Sequence, residues 1–117
     1  MAKRITLLIK GKTEEEKSYV TQFLKNNTPE GWDTYEASIS VYAANTYSPD
    51  IVGFFEKVAR DLKLKGLSYV LEAEDAGYDR YEISADGVYY VGGYEYVIDD
   101  EGDPVAKYKE AERKKVA

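Results

Sequence analysis

Residues 4–10 (RITLLIK) and residues 11–16 (GKTEEE), which follow directly, decide the fold of this chain. The apolar side chains of the first stretch alternate with a period of two residues, which is typical of a β-strand. Leu8 adds an apolar side chain on the second face, as in a central strand covered on both sides. Thr13 and Glu16 have the spacing of a capping box. The chain is therefore predicted to begin with a central strand followed by a helix.

Strand-like and helix-like patterns continue along the rest of the chain. A clean alternation over residues 34–44 predicts one half-buried strand. Ser48-Pro49-Asp50 has the composition of a helix start, and Gly66 is a suitable helix end. After Gly66 the turn residues become frequent, which predicts an antiparallel meander. Its strands are predicted at residues 67–74, 80–84, 88–91 and 94–98, with a bulge or bend at Gly92-Gly93.

These elements predict an α+β fold in the order βαβαββ(β). Because both helical connections are long enough to join parallel strands, we expect one mixed sheet. Both helices are expected on one face of that sheet, which leaves the other face open. Residues 1–103 are predicted to form a single α+β domain, and residues 104–117 a short C-terminal helix or tail that Pro104 opens.

Four short stretches resemble the YubB-type ferredoxin-like domain of plasmids and phages. They are residues 3–11 with the helix that follows, Trp32 with Tyr35, residues 46–49 (TYSP) and residues 74–77 (EDAG). The resemblance covers residues 3–91 and implies a small α+β sandwich associated with mobile elements. The chain departs from the family around Ser48-Pro49, where Tyr47 precedes the serine and Asp50 follows the proline. The family supplies no catalytic residues to carry over.

The composition excludes many classes of enzyme. The 117 residues include no cysteine and no histidine. The absence of cysteine excludes disulfide scaffolds, thiolate zinc sites and cysteine catalysis. The absence of histidine removes the commonest general base and any Ser-His-Asp triad. We therefore expect a protein that is not an enzyme and that holds no metal and no cofactor.

Partial motifs leave two weaker hypotheses. Asp99, Glu101 and Asp103 have the spacing of the first ligands of a calcium loop. Pro104 stands where that loop needs glycine. A solvated acidic loop is therefore favoured over a cation site. Glu72 and Glu74 share one strand face, and paired carboxylates act as acid and base only where their surroundings separate their pKa values.

No stretch of the sequence approaches the length of a membrane span, and residues 1–10 lack the long apolar region of a secretory signal. We therefore expect a cytoplasmic protein with no membrane partner.

Charge is the most informative feature of the sequence. The net charge is +1 over residues 1–66, −10 over residues 67–103 and +3 over residues 104–117. Seven of the twelve tyrosines lie in the acidic segment. Carboxylates interleaved with tyrosine suit the recognition of a basic protein surface, and they repel the phosphates of nucleic acid. A solvated acidic face that only favours solubility is the alternative.

These observations predict a small acidic protein that binds another protein and is not an enzyme. The hypothesis is a phage- or plasmid-encoded inhibitor, of the anti-CRISPR type, that occupies the basic nucleic-acid-binding surface of a host nuclease. Two alternatives stay open: a ligand-binding or enzymatic domain with a pocket between helices and sheet, and a protein that self-associates through an edge strand. The candidate partner-binding residues are Glu72, Glu74, Asp75, Tyr78, Asp79, Tyr81, Asp99, Asp100, Glu101 and Asp103.

Overall fold

The computed structural model describes residues 3–27, 32–35, 40–46, 51–75 and 79–117. It is an α+β fold with two helices and one antiparallel sheet. The elements in chain order are β1 (Lys3–Lys10), α1 (Glu14–Asn27), β2 (Trp32–Tyr35), β3 (Ser40–Thr46), α2 (Ile51–Leu64), β4 (Leu71–Asp75), β5 (Asp79–Ser84), β6 (Gly87–Ile98) and β7 (Pro104–Lys115).

The seven strands are ordered β2-β3-β1-β4-β5-β6-β7, and each described pair of neighbours is antiparallel. The prediction of a mixed sheet is therefore wrong. Its error was to assume that each helix joins neighbouring strands. In the structure β3 lies between β1 and β2, and β1 lies between β3 and β4. Strands that run in the same direction are thus separated by one that runs against them.

Residues 34–44 were predicted as one strand, and this is also corrected. They contribute to two strands, β2 and β3, which pair antiparallel from Trp32 opposite Ala43 to Tyr35 opposite Ser40. The alternation is continuous across both strands, so the period alone does not show where the chain reverses. The reversal supplies the extra strand that makes the sheet antiparallel.

The predicted C-terminal helix is wrong as well, because residues 104–115 form β7. The spacing of Val105, Tyr108 and Ala111 imitates a helical face. Pairing with β6, from Ile98 opposite Pro104 to Gly92 opposite Glu110 and again from Tyr90 opposite Lys114 to Tyr89 opposite Lys115, shows that these residues form a strand. Tertiary pairing thus overrides the local pattern.

The start of α1 and the end of α2 both follow the sequence prediction. The Glu16 N–H donates to Thr13 Oγ1 at 3.2 Å, and the Thr13 N–H donates to Glu16 Oε2 at 3.2 Å, which confirms the capping box. Gly66 has φ 66°, and the N–H of the next residue, Leu67, returns to the Leu62 carbonyl at 2.9 Å. This is a glycine-terminated helix end. The predicted start of α2 at residues 48–50 lies outside the described residues.

The hydrophobic core joins both helices to alternate residues of four strands. Leu7 is opposite Asp75, Ile9 is opposite Ala73, and Leu71 is opposite Ile83, so the buried strand residues share one side of the sheet, called here the helix face. The fourteen buried side chains among the described residues are Leu7, Ile9, Val20, Phe23, Leu24, Phe54, Phe55, Val58, Ala59, Leu62, Leu71, Ala73, Ile83 and Val88.

Within the described part of the chain, neither helix is long and apolar enough to cross a membrane.

Candidate functional site

The β6–β7 hairpin continues beyond the last described residue pair of β5 and β6. The described pairing of β5 with β6 ends where Asp79 lies opposite Gly93. The pairing of β6 with β7 continues from Tyr94 opposite Tyr108 to Ile98 opposite Pro104. Residues 94–108 therefore form a two-stranded ribbon with a turn at its end, called here the hairpin tip.

The hairpin tip exposes large apolar side chains. Tyr96 is 68% exposed, Ile98 is 70% exposed, and Tyr108 is 40% exposed. Because Tyr94, Tyr96 and Ile98 alternate along β6, and Tyr108 lies opposite Tyr94, these side chains share one face of the ribbon. A clustered apolar face that is open to water is a common mark of an interaction site.

An acidic turn, residues 99–103, closes the hairpin tip. The Asp99 carboxylate accepts the N–H of Glu101 at 2.9 Å and the N–H of Asp103 at 2.8 Å. Gly102 has φ 84°, a left-handed conformation that favours glycine. Asp99 therefore shapes the turn. The exposed carboxylates of Asp100, Glu101 and Asp103 have no hydrogen bond or ion pair with any described residue.

Aromatic and charged side chains anchor the base of the hairpin tip. The rings of Tyr94 and Tyr108 are 5.6 Å apart and inclined at 61°. The Arg80 guanidinium lies 5.3 Å from the Tyr108 ring and 3.3 Å from Glu72 Oε2. The Tyr94 hydroxyl donates to Glu74 Oε2 at 3.4 Å. These contacts fix the direction in which the ribbon leaves the sheet.

An irregularity is present in β6 one residue before the predicted Gly92-Gly93, and the two strands predicted at residues 88–91 and 94–98 form the single strand β6. Arg80 lies opposite Gly92 and Tyr81 lies opposite Tyr90, so one residue of β6, Val91, is extra. A Cβ on Gly92 would collide with the Tyr108 hydroxyl. Glycine at this position thus allows the aromatic base of the hairpin tip to close on the sheet.

The structure places the predicted partner-binding residues in three locations. Glu72 and Glu74 lie on the sheet face opposite the helices, at the base of the hairpin tip. Asp75, Asp79 and Tyr81 lie on the helix face, as the alternation from Leu7 and Ala73 requires. The turn carries Asp99, Asp100, Glu101 and Asp103. Tyr78 lies outside the described residues.

The helix-face group is shaped by burial. Tyr81 packs between Phe55 and Tyr90, with ring centroids at 5.5 Å and 5.8 Å. This burial, followed by the charges of Asp79 and Asp75, raises the pKa of Tyr81 to about 12. Burial also raises the pKa of Asp75, with the nearby Asp79 charge as the second cause. Tyr81 thus has the environment of a packing residue.

Basic side chains compensate part of the acidic segment. Glu72 pairs with Arg80 at 3.3 Å and with Lys12 at 4.0 Å. Arg113 of β7 lies 3.3 Å from Glu82 and 3.6 Å above the Tyr89 ring. The other described carboxylates of this segment have no ion pair, and four of them stand within five residues in the acidic turn, whereas Glu74, Asp75, Asp79, Asp86 and Glu95 are spread along β4, β5, β6 and the β5–β6 turn.

A groove of about 240 Å³ lies beside the β6 irregularity. Carboxylates, tyrosines and one lysine surround it, and its lining residues are Asp79, Tyr90, Gly93, Tyr94, Glu95, Lys109, Glu110 and Ala111. It lies at the junction of β5, β6 and β7, away from the packed layer between helices and sheet. The described residues contain no group of three or more carboxylates placed to hold a metal ion.

The apolar part of this site, Tyr96, Ile98 and Tyr108, is not among the residues predicted from the sequence. Tyr94, Tyr96 and Ile98 nevertheless alternate beside the acidic turn. These side chains are exposed because they lie on the face of the sheet opposite the buried core residues, a placement that depends on the register of β6 with β5 and β7. A tyrosine-rich strand followed by four carboxylates within five residues was the available signal.

Comparison of the chain with models of protein families, with curated proteins and with solved structures finds no match in any of the three.

Proposed function

We propose that this protein binds another protein, without being an enzyme, by inserting its hairpin tip into a basic cleft of the partner. The observation that carries the proposal is the combination of exposed Tyr96 and Ile98 with the unpaired carboxylates of Asp100, Glu101 and Asp103 on one projecting ribbon. Apolar area and negative charge are thus presented together at the end of the molecule.

The two parts of the hairpin tip have separate physical roles. Complete burial of an exposed side chain such as Ile98 contributes about 1.5–3 kcal/mol, so the apolar face supplies affinity. The carboxylates of the turn steer the approach to a positively charged surface and select against acidic ones. The ordered turn and the aromatic base reduce the conformational freedom lost on binding.

The partner class proposed is a protein that binds nucleic acid. Its basic cleft ordinarily contacts phosphates, and the acidic turn offers carboxylates to the same lysines and arginines. The protein then acts as an inhibitor of the anti-CRISPR type, encoded by a phage or plasmid and active in the cytoplasm against a host nuclease. The β-α-β-β-α-β order of the first six elements, which is that of a ferredoxin-like fold, supports the proposed kinship with YubB-type domains.

The experiment is affinity capture from a nuclease-treated bacterial lysate with the full chain and with the triple variant Asp100→Asn, Glu101→Gln, Asp103→Asn. The triple variant removes the free carboxylates and keeps Asp99, which shapes the turn. A matched control neutralises the exposed Asp86, which lies at the β5–β6 turn. We expect the full chain and the control to retain a basic nucleic-acid-binding protein, and the triple variant to bind it about tenfold more weakly or worse.

Two further measurements decide whether the mode of binding is the one proposed. Added double-stranded DNA and raised salt should each weaken the complex, since both compete for the same positive charges. The proposal is contradicted if the triple variant retains the partner as well as the full chain does. It is also contradicted if the complex holds the partner and DNA together, or if no basic protein is captured.

A further inference from the structure

β7 is an edge strand with its outer side free. It is last in the strand order, all twelve of its residues are exposed, and no described strand pairs with its outer edge. The register of β7 against β6 shifts between Glu110 and Lys114, so the regular part of the edge is residues 104–110, which span roughly 24 Å at about 3.4 Å per residue. The backbone N–H and C=O groups that alternate along such an edge can hydrogen-bond to an added strand.

The charge of β7 decides which strand can be added. It carries five basic residues and two acidic ones, whereas the segment before it is strongly acidic. In the described part of the chain the ammonium groups of Lys107, Lys109, Lys114 and Lys115 have no ion pair. By register, Lys107 and Lys109 lie on the helix face, and Lys115 lies on the opposite face with Tyr89. An incoming strand would thus meet positive charge on both of its faces.

A second copy of this chain is a poor occupant of that edge. Pairing two β7 strands would bring a net charge of +3 against a net charge of +3. Lysines on an edge strand are a common means by which proteins prevent such self-pairing. The same charge attracts an extended segment rich in glutamate and aspartate.

We propose that the outer edge of β7 takes an acidic extended segment of another protein as an eighth strand of the sheet. Main-chain hydrogen bonds supply the pairing, and the four lysines without ion pairs supply the selectivity. The edge of β7 shares residues 104–108 with the hairpin tip but does not include the acidic turn, so variants of the turn and variants of the β7 lysines test the two proposals separately.

The test uses the full chain and a blocked peptide of alternating glutamate and valine as the probe. Amide hydrogen exchange should show new protection along β7 and none along β2, which forms the other edge of the sheet. Lys107→Gln with Lys109→Gln should weaken peptide binding about fivefold to tenfold, because two exposed charge pairs are lost. The turn variant Asp100→Asn, Glu101→Gln, Asp103→Asn should bind the peptide as the unmodified chain does, or slightly better.

Several outcomes overturn the edge proposal. The first is that the acidic peptide does not bind, and the second is that a lysine–valine peptide binds equally well. The third is that the acidic peptide binds equally well after methylation of every amide nitrogen. The fourth is that the chain sediments as a dimer formed through β7. Equal binding of the methylated peptide would show attraction by charge without strand pairing. Loss of the captured partner in the turn variant, with peptide binding intact, would separate the two proposals.

Discussion

Tyr94 and Tyr108 face one another across β6 and β7, with ring centroids 5.6 Å apart at 61°. The pair stands where the hairpin tip leaves the sheet, and Arg80 covers the Tyr108 ring at 5.3 Å. The contact therefore holds an exposed ribbon in a fixed direction relative to the core. An interaction element with a fixed direction loses less conformational entropy when it binds.

Replacement of Tyr108 by alanine should loosen the hairpin tip. The change removes the ring pair and the Arg80 contact, and cross-strand aromatic pairs contribute about 0.5–1.5 kcal/mol. We expect a loss of about 1 kcal/mol in the free energy of unfolding and faster amide exchange over residues 94–98. Tyr96→Ala is the matched control, since Tyr96 is 68% exposed and has no ring contact with a described residue. Equal effects of the two variants would contradict the anchoring role.

Asp99 and Asp100 should differ sharply although they are neighbours of the same charge. Asp99→Ala removes the acceptor of two backbone N–H groups, so it should lower the free energy of unfolding by about 1–2 kcal/mol. Asp100→Ala removes an exposed carboxylate and should change stability by less than about 0.5 kcal/mol. Denaturant titration of both variants measures the difference. A neutral Asp99→Ala would show that the turn keeps its shape without that carboxylate.

The capping box of α1 should be measurable in the same way. Thr13→Ala should cost about 1 kcal/mol of stability, because the N–H of Glu16 loses its side-chain acceptor. Thr13→Ser keeps a hydroxyl and should recover most of the loss. Thermal unfolding of the three proteins tests this, and a serine variant as unstable as the alanine variant would assign the effect to the lost methyl group.

Alkaline pH should destabilise the protein through two half-buried tyrosines, Tyr81 and Tyr19. The pKa of Tyr81 is raised from 10.0 to about 12 by burial and by Asp79 and Asp75. Its contribution to stability is complete below the unfolded-state pKa and is lost as pH rises through the folded-state pKa, because the unfolded chain loses the proton first. Burial and the hydrogen bond to Asp61 raise the pKa of Tyr19 in the same direction.

The measurement is the free energy of unfolding from about pH 9 to about pH 11.5. It should fall less steeply in Tyr81→Phe than in the unmodified chain. A Tyr81→Phe variant with an unchanged slope would show that the Tyr81 hydroxyl is solvated in the folded protein.

Local features of the fold could be predicted from the sequence, whereas its strand order could not. The capping box at Thr13 and the helix end at Gly66 depend on residues within one turn, and both are confirmed. The antiparallel sheet depends on where β3 inserts between β1 and β2, which is a long-range choice. β7 was mistaken for a helix because its apolar spacing fits one, and only pairing with β6 reveals the strand.

The candidate site was predictable to a similar extent. The acidic turn was identified from composition, but the structural role of Asp99 needed the hydrogen bonds to Glu101 and Asp103. The sequence predicts Tyr81 as a contact residue, whereas in the structure its ring packs against Phe55 and Tyr90. Alternation shows which residues of a strand share one face. Whether that face is buried depends on which distant parts of the chain pack against it.

The most direct test of the proposed binding surface is site-specific photocross-linking. A photoreactive side chain is placed at Ile98 on the hairpin tip or, as the control, at Leu64, which is 86% exposed at the end of α2. Position 98 should cross-link to lysine- and arginine-rich peptides of a nucleic-acid-binding protein, and position 64 should not. Cross-links from position 64 alone, or from position 98 to an acidic surface, would contradict it.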